Sequence, residues 1–467
     1  MLDLPSADLG WSSAGDIAAA VAAGRVSATG IVEATLVRIR ERDPLLNSFT
    51  AVVEQRALAR ARATDDARAK GQKAGALAGV PFAVKNLFDI AGLPTVAGSK
   101  INRDTAPAAR DAALIEQLEA AGGVLIGALN MGEYAYDFTG ENIHDGPSRN
   151  PHDLDRMTGG SSGGSGGAVA GGLVPLSLGS DTNGSIRVPS SLCGLFGLKP
   201  TYGRLSRARS FPFVSSFDHL GPLARSARDL ALAYDAMQGN DPEDPACANR
   251  QAEPVTALLN KNIDGLRIAV AGGYFQGKSA EAVSAVDTVA AALGANRDIE
   301  IPHADRARAA AFVITAAEGA SLHIDRLRVR ANDYDPAVRD RLIAGLMTPA
   351  TLVIKAQKFR RWYREQVINL FTEVDAIVAP ATPCTAPLIG QDTFMFGDIE
   401  LPVRANLGLY TQPISFIGLP VVAVPIPLSP LPIGVQIIAA PWREDVALRI
   451  AHALEIKGVA AAPRPSI

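Results

Sequence analysis

The sequence predicts one large α/β/α layered body, in which a mixed central sheet is flanked by helices. Short apolar strands alternate with amphipathic helices along most of the 467 residues, an order typical of parallel strands with helices on both sheet faces. Hydrophobic residues make up 48% of the chain and charged residues 20%, which are ordinary globular values. Because no linker marks a boundary, we expect a single domain over residues 1–467.

The first 70 residues are predicted to form an N-terminal helical arm. Two helices are expected from Asp16 to Ala23 and from Ser27 to Arg42, and a third is expected over 54–70. Ser27 is a candidate N-cap for the second helix, and Pro44 is expected to stop it.

A strand, a helix and a second strand follow this arm. Residues 79–85 form an apolar run interrupted only by Lys85, and 124–127 form another. Between them, Asp111 is expected to cap a helix that Gly122 ends. This order indicates that the two strands pair in parallel.

The second half of the chain repeats the strand and helix patterns less regularly. The predicted strands are 266–270, 298–301, 376–379, 421–424 and 434–438, and the predicted helices are 280–293, 306–331, 350–371 and 444–455.

Composition narrows the classes of function. The net charge is −3 and no long basic block occurs, which argues against binding to nucleic acid. Cys193, Cys247 and Cys384 lie far apart without metal-ligand spacing, so we expect no metal site and a reducing compartment. No apolar run reaches the roughly 18 residues of a membrane span, and the N-terminus lacks a signal-peptide pattern. A soluble, cytoplasmic protein with a small-molecule role is therefore expected, with no membrane partner.

The stretch from Thr158 to Pro189 carries the strongest chemical signal. Its Gly/Ser-rich first half is followed by an apolar run, which disfavours a flexible linker. A phosphate-binding loop is disfavoured because the Lys-Ser/Thr ending is absent. Residues 159–163 also satisfy the G-x-S-x-G pattern of a nucleophile elbow, for which His219 is the best downstream base.

A second serine, Ser185, follows the apolar run at a turn. Successive backbone N–H groups of Thr182, Asn183 and Gly184 could converge on one oxygen there, as in an oxyanion hole. The serine still needs a base, and Lys85 is the candidate because burial in its apolar strand favours the neutral amine. The alternative is that Lys85 lies at a strand end and reaches water.

These residues resemble the amidase signature enzymes. The resemblance covers the Gly/Ser loop, the Gly184–Pro189 turn, the upstream Lys85 and the spacing between Ser161 and Ser185. Supporting matches extend over most of the chain: Gly79–Asp89, Asn130–Glu133, Gly197–Thr201, Asp218–Asp229, Gly418–Pro420 and Pro432–Gln436.

The resemblance implies a fold, a reaction and roles for three residues. Ser185 is implied to be the nucleophile, Ser161 the bridging serine and Lys85 the base, in a relay that forms an acyl-enzyme and needs no cofactor or metal. The Gly160–Ser161 peptide bond is implied to be cis. One departure is Asn183, where many family members have glycine, and its carboxamide either contacts substrate or braces the turn.

Within the family, the sequence is most similar to the carboxybiuret hydrolases of cyanuric acid breakdown. That likeness rests on Val84–Asp89, Asp181–Ser185 and Arg209–Val214. It implies a small, anionic, urea- or biuret-like amide as substrate, release of ammonia, a small accessory subunit, and a homo-oligomeric or heteromeric state. The residues expected to contact the substrate are Ser162, Tyr136, Arg187 and Arg209; Arg207 is a further carboxylate candidate.

Two other functions stay open at this point. The chain could be the glutamine-hydrolysing subunit of a tRNA-dependent amidotransferase, which shares the same three catalytic residues. It could instead be a non-catalytic binding or scaffold subunit of the same fold, although intact Ser185, Ser161 and Lys85 argue against this.

Overall fold

A computed structural model describes residues 9 to 466, and its centre is an eleven-stranded sheet. The strands of the described chain are β1 (Phe49–Val52), β2 (Pro81–Lys85), β3 (Val124–Leu129), β4 (Arg149–Asn150), β5 (Asp153–Met157), β6 (Leu176–Asp181), β7 (Phe196–Lys199), β8 (His219–Ala224), β9 (Ile268–Ala271), β10 (Arg297–Ile299), β11 (Ala376–Pro380), β12 (Thr393–Phe396), β13 (Ile399–Pro402), β14 (Val421–Ile426) and β15 (Ile433–Ala439). The large sheet has the order β1-β3-β2-β6-β8-β7-β14-β15-β11-β9-β10, while β4 with β5 and β12 with β13 form small separate sheets.

Helices surround this sheet. The α-helices are α1 (Ala14–Ala22), α2 (Ala28–Leu46), α3 (Glu54–Ala69), α4 (Ala113–Ala120), α5 (Gly163–Ala170), α6 (Arg187–Leu192), α7 (Ala227–Met237), α8 (Ala280–Leu293), α9 (Ala304–Arg330), α10 (Pro336–Leu346), α11 (Ala350–Leu370), α12 (Val403–Asn406), α13 (Gln412–Ser415) and α14 (Glu444–Ile456). Within residues 9–466, none of them is both long and apolar enough to cross a membrane.

The sheet is mixed, as predicted. β2 pairs in parallel with both β3 and β6, and β9 pairs in parallel with β10 and β11. The strands between β6 and β11 pair antiparallel. Every residue of β3, β14 and β15 is buried, because helices cover both faces and the strands can therefore be continuously apolar.

The N-terminal helices lie where they were predicted, with one correction. Ser27 caps α2 as expected, since its Oγ accepts a hydrogen bond from Gly30 N at 3.0 Å. Pro44, however, does not stop the helix, which continues to Leu46. Proline removes only one intrahelical hydrogen bond, a small loss in a final turn. The helix ends at Asn47, which adopts left-handed backbone angles with φ of 52°.

Asp111 does not cap α4, contrary to the prediction. The capping position is Ala112, which makes no side-chain cap. The Asp111 carboxylate instead accepts two hydrogen bonds from Arg56, at 2.8 and 2.6 Å, and one from Ala91 N. A paired Arg–carboxylate contact is stronger than a neutral cap, and it ties α3 to the loop before α4.

The second half of the chain contains every predicted element, with shifts of a few residues at the ends. α8 spans 280–293 as predicted, because Ser279 caps its start and Gly294 ends it with φ of 64°. The longest helices that were not predicted are α5, α7 and α10. α5 lies inside the Gly/Ser stretch, where all eight of its residues are buried.

Candidate active site

The sheet brings the candidate catalytic residues to one edge. Lys85 is the last residue of β2, and Ser180 lies one residue before the end of β6. Because these strands pair in parallel, their carboxyl ends meet at the same edge. Ser161 lies just before α5, and Ser185 lies in the turn that joins β6 to α6. The Gly160–Ser161 peptide bond is cis, as predicted.

Lys85 lies within hydrogen-bond distance of two hydroxyl groups. Its Nζ is 2.7 Å from Ser161 Oγ and 2.9 Å from Ser180 Oγ, and the residue is fully buried. Burial lowers the pKa of Lys85 to about 7, although the carboxylates of Asp181 and Asp218 act in the opposite direction. A large fraction of this amine is therefore neutral near pH 7 and able to accept a proton.

Ser185 faces a small cavity of about 70 Å³. Its hydroxyl makes no hydrogen bond with any other residue in the described range 9–466, although the residue is only 3% exposed. The cavity is also lined by Tyr136, Arg341 and Arg404. An unengaged hydroxyl at the wall of a cavity is available to a bound substrate.

The turn before Ser185 is fixed from both sides. Thr182 Oγ1 donates a hydrogen bond of 2.6 Å to Asp218 Oδ1, and Thr411 Oγ1 donates one of 2.7 Å to the carbonyl of Asn183. Gly184 has φ of 141°, and a Cβ there would lie 2.1 Å from Thr411 Oγ1. Only glycine allows this close approach of the backbone.

A buried ion pair lies beneath the same turn. Arg187 Nε donates a hydrogen bond to Asp181 Oδ2, and Arg187 Nη2 donates one to Asp181 Oδ1, both at 3.0 Å. Both side chains are fully buried. Burial alone would raise the pKa of Asp181, but the Arg187 guanidinium holds it well below its usual range. Ser415 Oγ donates a further hydrogen bond to Asp181 at 2.9 Å. The pair anchors the start of α6.

Comparison with known proteins identifies the family. The sequence profile of the Amidase family matches residues 30–448. The chain belongs to the amidase family. It is 53% identical over 449 residues to AtzE, a 1-carboxybiuret hydrolase subunit of Pseudomonas sp. strain ADP, and the match covers 95% of this chain and 98% of that protein. It is 38% identical to a subunit of the glutamyl-tRNA(Gln) amidotransferase of Pseudomonas aeruginosa, over 94% of this chain and 95% of that protein.

Solved structures of amidases have the same fold. One, described as a vestigial protein complex that reveals the evolutionary origins of an s-triazine catabolic enzyme, superposes with a TM-score of 0.96 at 53% identity, covering 97% of this chain and 100% of that chain. The 6-aminohexanoate cyclic dimer hydrolase superposes with a TM-score of 0.86 at 28% identity, covering 98% and 99%. The amidase signature fold and the resemblance to the carboxybiuret hydrolases are therefore confirmed, and the chain is an amide-hydrolysing enzyme.

Among the residues predicted to contact substrate, only Tyr136 lines the cavity with Ser185. Arg187 is fully buried in its pair with Asp181. Ser162 is also buried, and its hydroxyl lies 3.3 Å from the main-chain carbonyl of Ser180. Both side chains therefore have buried partners within the protein, six residues away for Arg187 and 18 residues away for Ser162, and their contact with substrate stays a prediction.

Arg207 and Arg209 lie at a neighbouring cavity. Arg209 pairs with Glu116 at 2.9 Å and with Glu243, and Arg207 pairs with Asp244 at 3.0 Å. Both guanidinium groups are therefore paired with carboxylates, and neither residue lines the cavity of Ser185.

His219 does not support the nucleophile-elbow alternative. Its Nδ1 lies 3.0 Å from the carbonyl oxygen of Asp181, its Nε2 has no hydrogen-bond partner among residues 9–466, and burial lowers its pKa well below the usual value. The hydroxyl of Ser161 contacts Lys85 rather than a histidine.

In the described part of the chain, no group of three or more His, Cys, Asp or Glu side chains could hold a metal ion.

Four site residues were missed by the sequence analysis: Ser180, Asp218, Arg341 and Arg404. Ser180 directly precedes the recognised turn, and Asp218 begins a recognised motif, so their positions in the sequence were a usable signal. Arg341 and Arg404 lie on α10 and α12, and only the fold brings them to the cavity.

Proposed function

We propose that the protein hydrolyses the terminal C–N bond of a small, anionic, urea- or biuret-like amide through an acyl-enzyme on Ser185. The observation that carries this proposal is the contact between Lys85 and Ser161, at 2.7 Å and fully buried, and it is supported by the cavity that Ser185 lines. A buried amine with a pKa of about 7 is suited to receive a proton from a serine hydroxyl at neutral pH.

In this mechanism Ser185 loses its proton and receives the acyl group of the substrate. Ser185 Oγ attacks the carbonyl carbon, while its proton passes to Ser161 and the Ser161 proton passes to neutral Lys85. The backbone N–H groups of Thr182, Asn183 and Gly184 stabilise the negative oxygen of the tetrahedral intermediate. The C–N bond then breaks, and ammonia leaves with a proton returned through Ser161. Water attacks the resulting ester and uses the same relay, which releases the acid and restores Ser185.

One cation favours an anionic substrate. Arg341 and Arg404 both line the cavity of Ser185. Arg404 is already surrounded by the carboxylates of Asp137, Glu141 and Asp335, at 3.3, 3.7 and 4.0 Å. Arg341, in contrast, forms no ion pair with any residue in 9–466 and lies over the ring of Tyr136 at 4.0 Å. A guanidinium without a carboxylate partner next to the nucleophile can bind a substrate carboxylate bidentately. The 53% identity to a 1-carboxybiuret hydrolase component supports the same substrate class.

The proposal extends to a small accessory subunit. The relative with 53% identity is named as one subunit of its enzyme, and the structure with TM-score 0.96 is described as a protein complex. We therefore expect the chain to function in a heteromer. Co-expression with neighbouring genes, followed by light scattering, would detect such a partner; a monomer with full activity would contradict this part of the proposal.

A trapped acyl-enzyme tests the mechanism most directly. We expect rapid quenching during turnover of a biuret-type amide to leave an acyl mass on the peptide that contains Ser185, and Ser185→Ala to abolish both the adduct and ammonia release. Hydrolysis by Ser185→Ala would refute the nucleophile. Glutaminase activity that depends on other subunits and is stimulated by tRNA would instead favour an amidotransferase, and inactivity on every amide would favour a scaffold.

A further inference from the structure

The side chain of Asn183 brings an unpartnered polar atom to the wall of the catalytic cavity. The residue is 7% exposed and lines the cavity together with Ser185. Its Nδ2 donates a hydrogen bond to Thr315 Oγ1 at 3.1 Å, whereas its Oδ1 is buried and has no partner in the described chain. Buried acceptors are nearly always paired, so an unpaired one at a binding cavity points to a donor on the ligand.

The turn does not depend on this carboxamide for its shape. The main chain of Asn183 is already held by Thr411, whose Oγ1 donates to its carbonyl at 2.7 Å. The preceding residue, Thr182, is held by Asp218 at 2.6 Å. Bracing by the Asn183 side chain would therefore duplicate two existing restraints, and it would not explain the unpaired oxygen.

We propose that Asn183 Oδ1 accepts a hydrogen bond from the substrate N–H attached to the attacked carbonyl on the side opposite the leaving amine. This inference rests on the proposed role of Ser185, which lies two residues away at the same cavity. A ureido group carries an N–H at this position, whereas a carbon-linked amide carries a methylene group. Asn183 thus selects urea-like amides, because a methylene group leaves the buried oxygen unpaired.

Gln412 offers the complementary hydrogen-bond group. It lines the same cavity, and its Oε1 accepts a hydrogen bond from Arg308 at 2.8 Å. Its amide nitrogen makes no hydrogen bond with another described residue. A fixed amide donor and the Asn183 acceptor in one cavity match a ureido group, which presents both a carbonyl oxygen and N–H groups.

Two ligands of equal length isolate this contact. N-carbamoylglycine and succinamate both end in a primary amide and a carboxylate, and they differ only by N–H in place of CH₂ next to the amide carbonyl. Their binding to the Ser185→Ala protein, measured by calorimetry, is independent of turnover. We expect about tenfold tighter binding of N-carbamoylglycine, and we expect Asn183→Ala in the same background to abolish that preference.

Thr315→Val is the matched control, because it releases Nδ2 but keeps the Asn183 oxygen. We expect it to retain part of the preference. Equal weakening of both ligands by Asn183→Ala, a preference that survives this change, or no preference in the Ser185→Ala parent would overturn the inference. Circular dichroism and thermal melting establish that each variant is folded. Amide hydrolysis by Ser185→Ala would refute the proposed nucleophile separately, and it would leave the comparison of the two ligands valid.

Discussion

The pH dependence of amide hydrolysis tests whether Lys85 is the base. Burial lowers its pKa from 10.5 to about 7, so about half of the amine is neutral at pH 7. With an ordinary pKa, roughly 0.03% would be neutral at that pH. Burial thus raises the neutral fraction of Lys85 at pH 7 by about three orders of magnitude. We expect kcat/KM to be proportional to this neutral fraction.

The neutral amine is the active form, and therefore the rate falls as the pH falls. We expect kcat/KM to decrease by about tenfold per pH unit below pH 7 and to level off above about pH 8. Ammonia release measured from pH 5.5 to 9, with a substrate whose own ionisation lies outside this range, gives the profile. A rise in kcat/KM centred near pH 10 instead of pH 7, or a value that does not change through pH 7, would refute the assignment of Lys85.

Lys199 provides a matched control for this experiment. It is also fully buried, and burial lowers its pKa to about 7 as well. Its Nζ, however, donates to the main-chain carbonyls of Pro200 and Leu419 rather than to a serine. We expect Lys85→Met to lose at least a thousandfold in kcat/KM, whereas Lys199→Met, if folded by thermal melting, should keep the limb near pH 7. The reverse result would assign the titration to Lys199.

Three further changes test other parts of the site. Arg341→Met should raise KM for a carboxylated amide by roughly ten- to a hundredfold, with a smaller effect on a neutral amide; equal effects would argue against carboxylate binding. Ser180→Ala removes one of two hydroxyls at the Lys85 amine and should lower kcat about tenfold, while an unchanged pH profile and rate would exclude a role. Gly184→Ala should destabilise the fold by about 1–3 kcal/mol, because its Cβ would meet Thr411. Gly239 has φ of 143° with open space around it, so Gly239→Ala should melt at a higher temperature than Gly184→Ala.

Local patterns were sufficient to predict most of the fold. The limits of α8 could be predicted because Ser279 and Gly294 both act within the neighbouring turn. Asp111 was misassigned because its partner, Arg56, is 55 residues away, and this pairing outweighs a capping bond. Pro44 was misassigned because a proline near the end of a helix costs less than one in the middle. The errors thus arise where a distant contact or the position within an element decides the outcome.

The candidate site shows the same division between local and long-range information. Local patterns led to the prediction of Ser161 and Ser185, from their fixed spacing in a Gly/Ser-rich segment, and of Lys85, as the lysine in an apolar strand. Their catalytic roles stay predictions. The residues that line the cavity could not be predicted in the same way, since Arg341 on α10 and Arg187 on α6 look alike in sequence as isolated arginines. The fold places Arg341 at the cavity and Arg187 against Asp181.

The partner of each buried cation determines what that cation can do. Arg187 lies against the carboxylate of Asp181, and this pair contributes to structure. Within residues 9–466, Lys85 forms hydrogen bonds with two hydroxyl groups and with no carboxylate. Desolvation therefore outweighs the charges of Asp181, Asp218 and Asp137, and the pKa of Lys85 falls to about 7. A carboxylate in direct contact with Lys85 would favour the ammonium form and remove the base, so a lysine without a directly paired acid is necessary for the proposed relay.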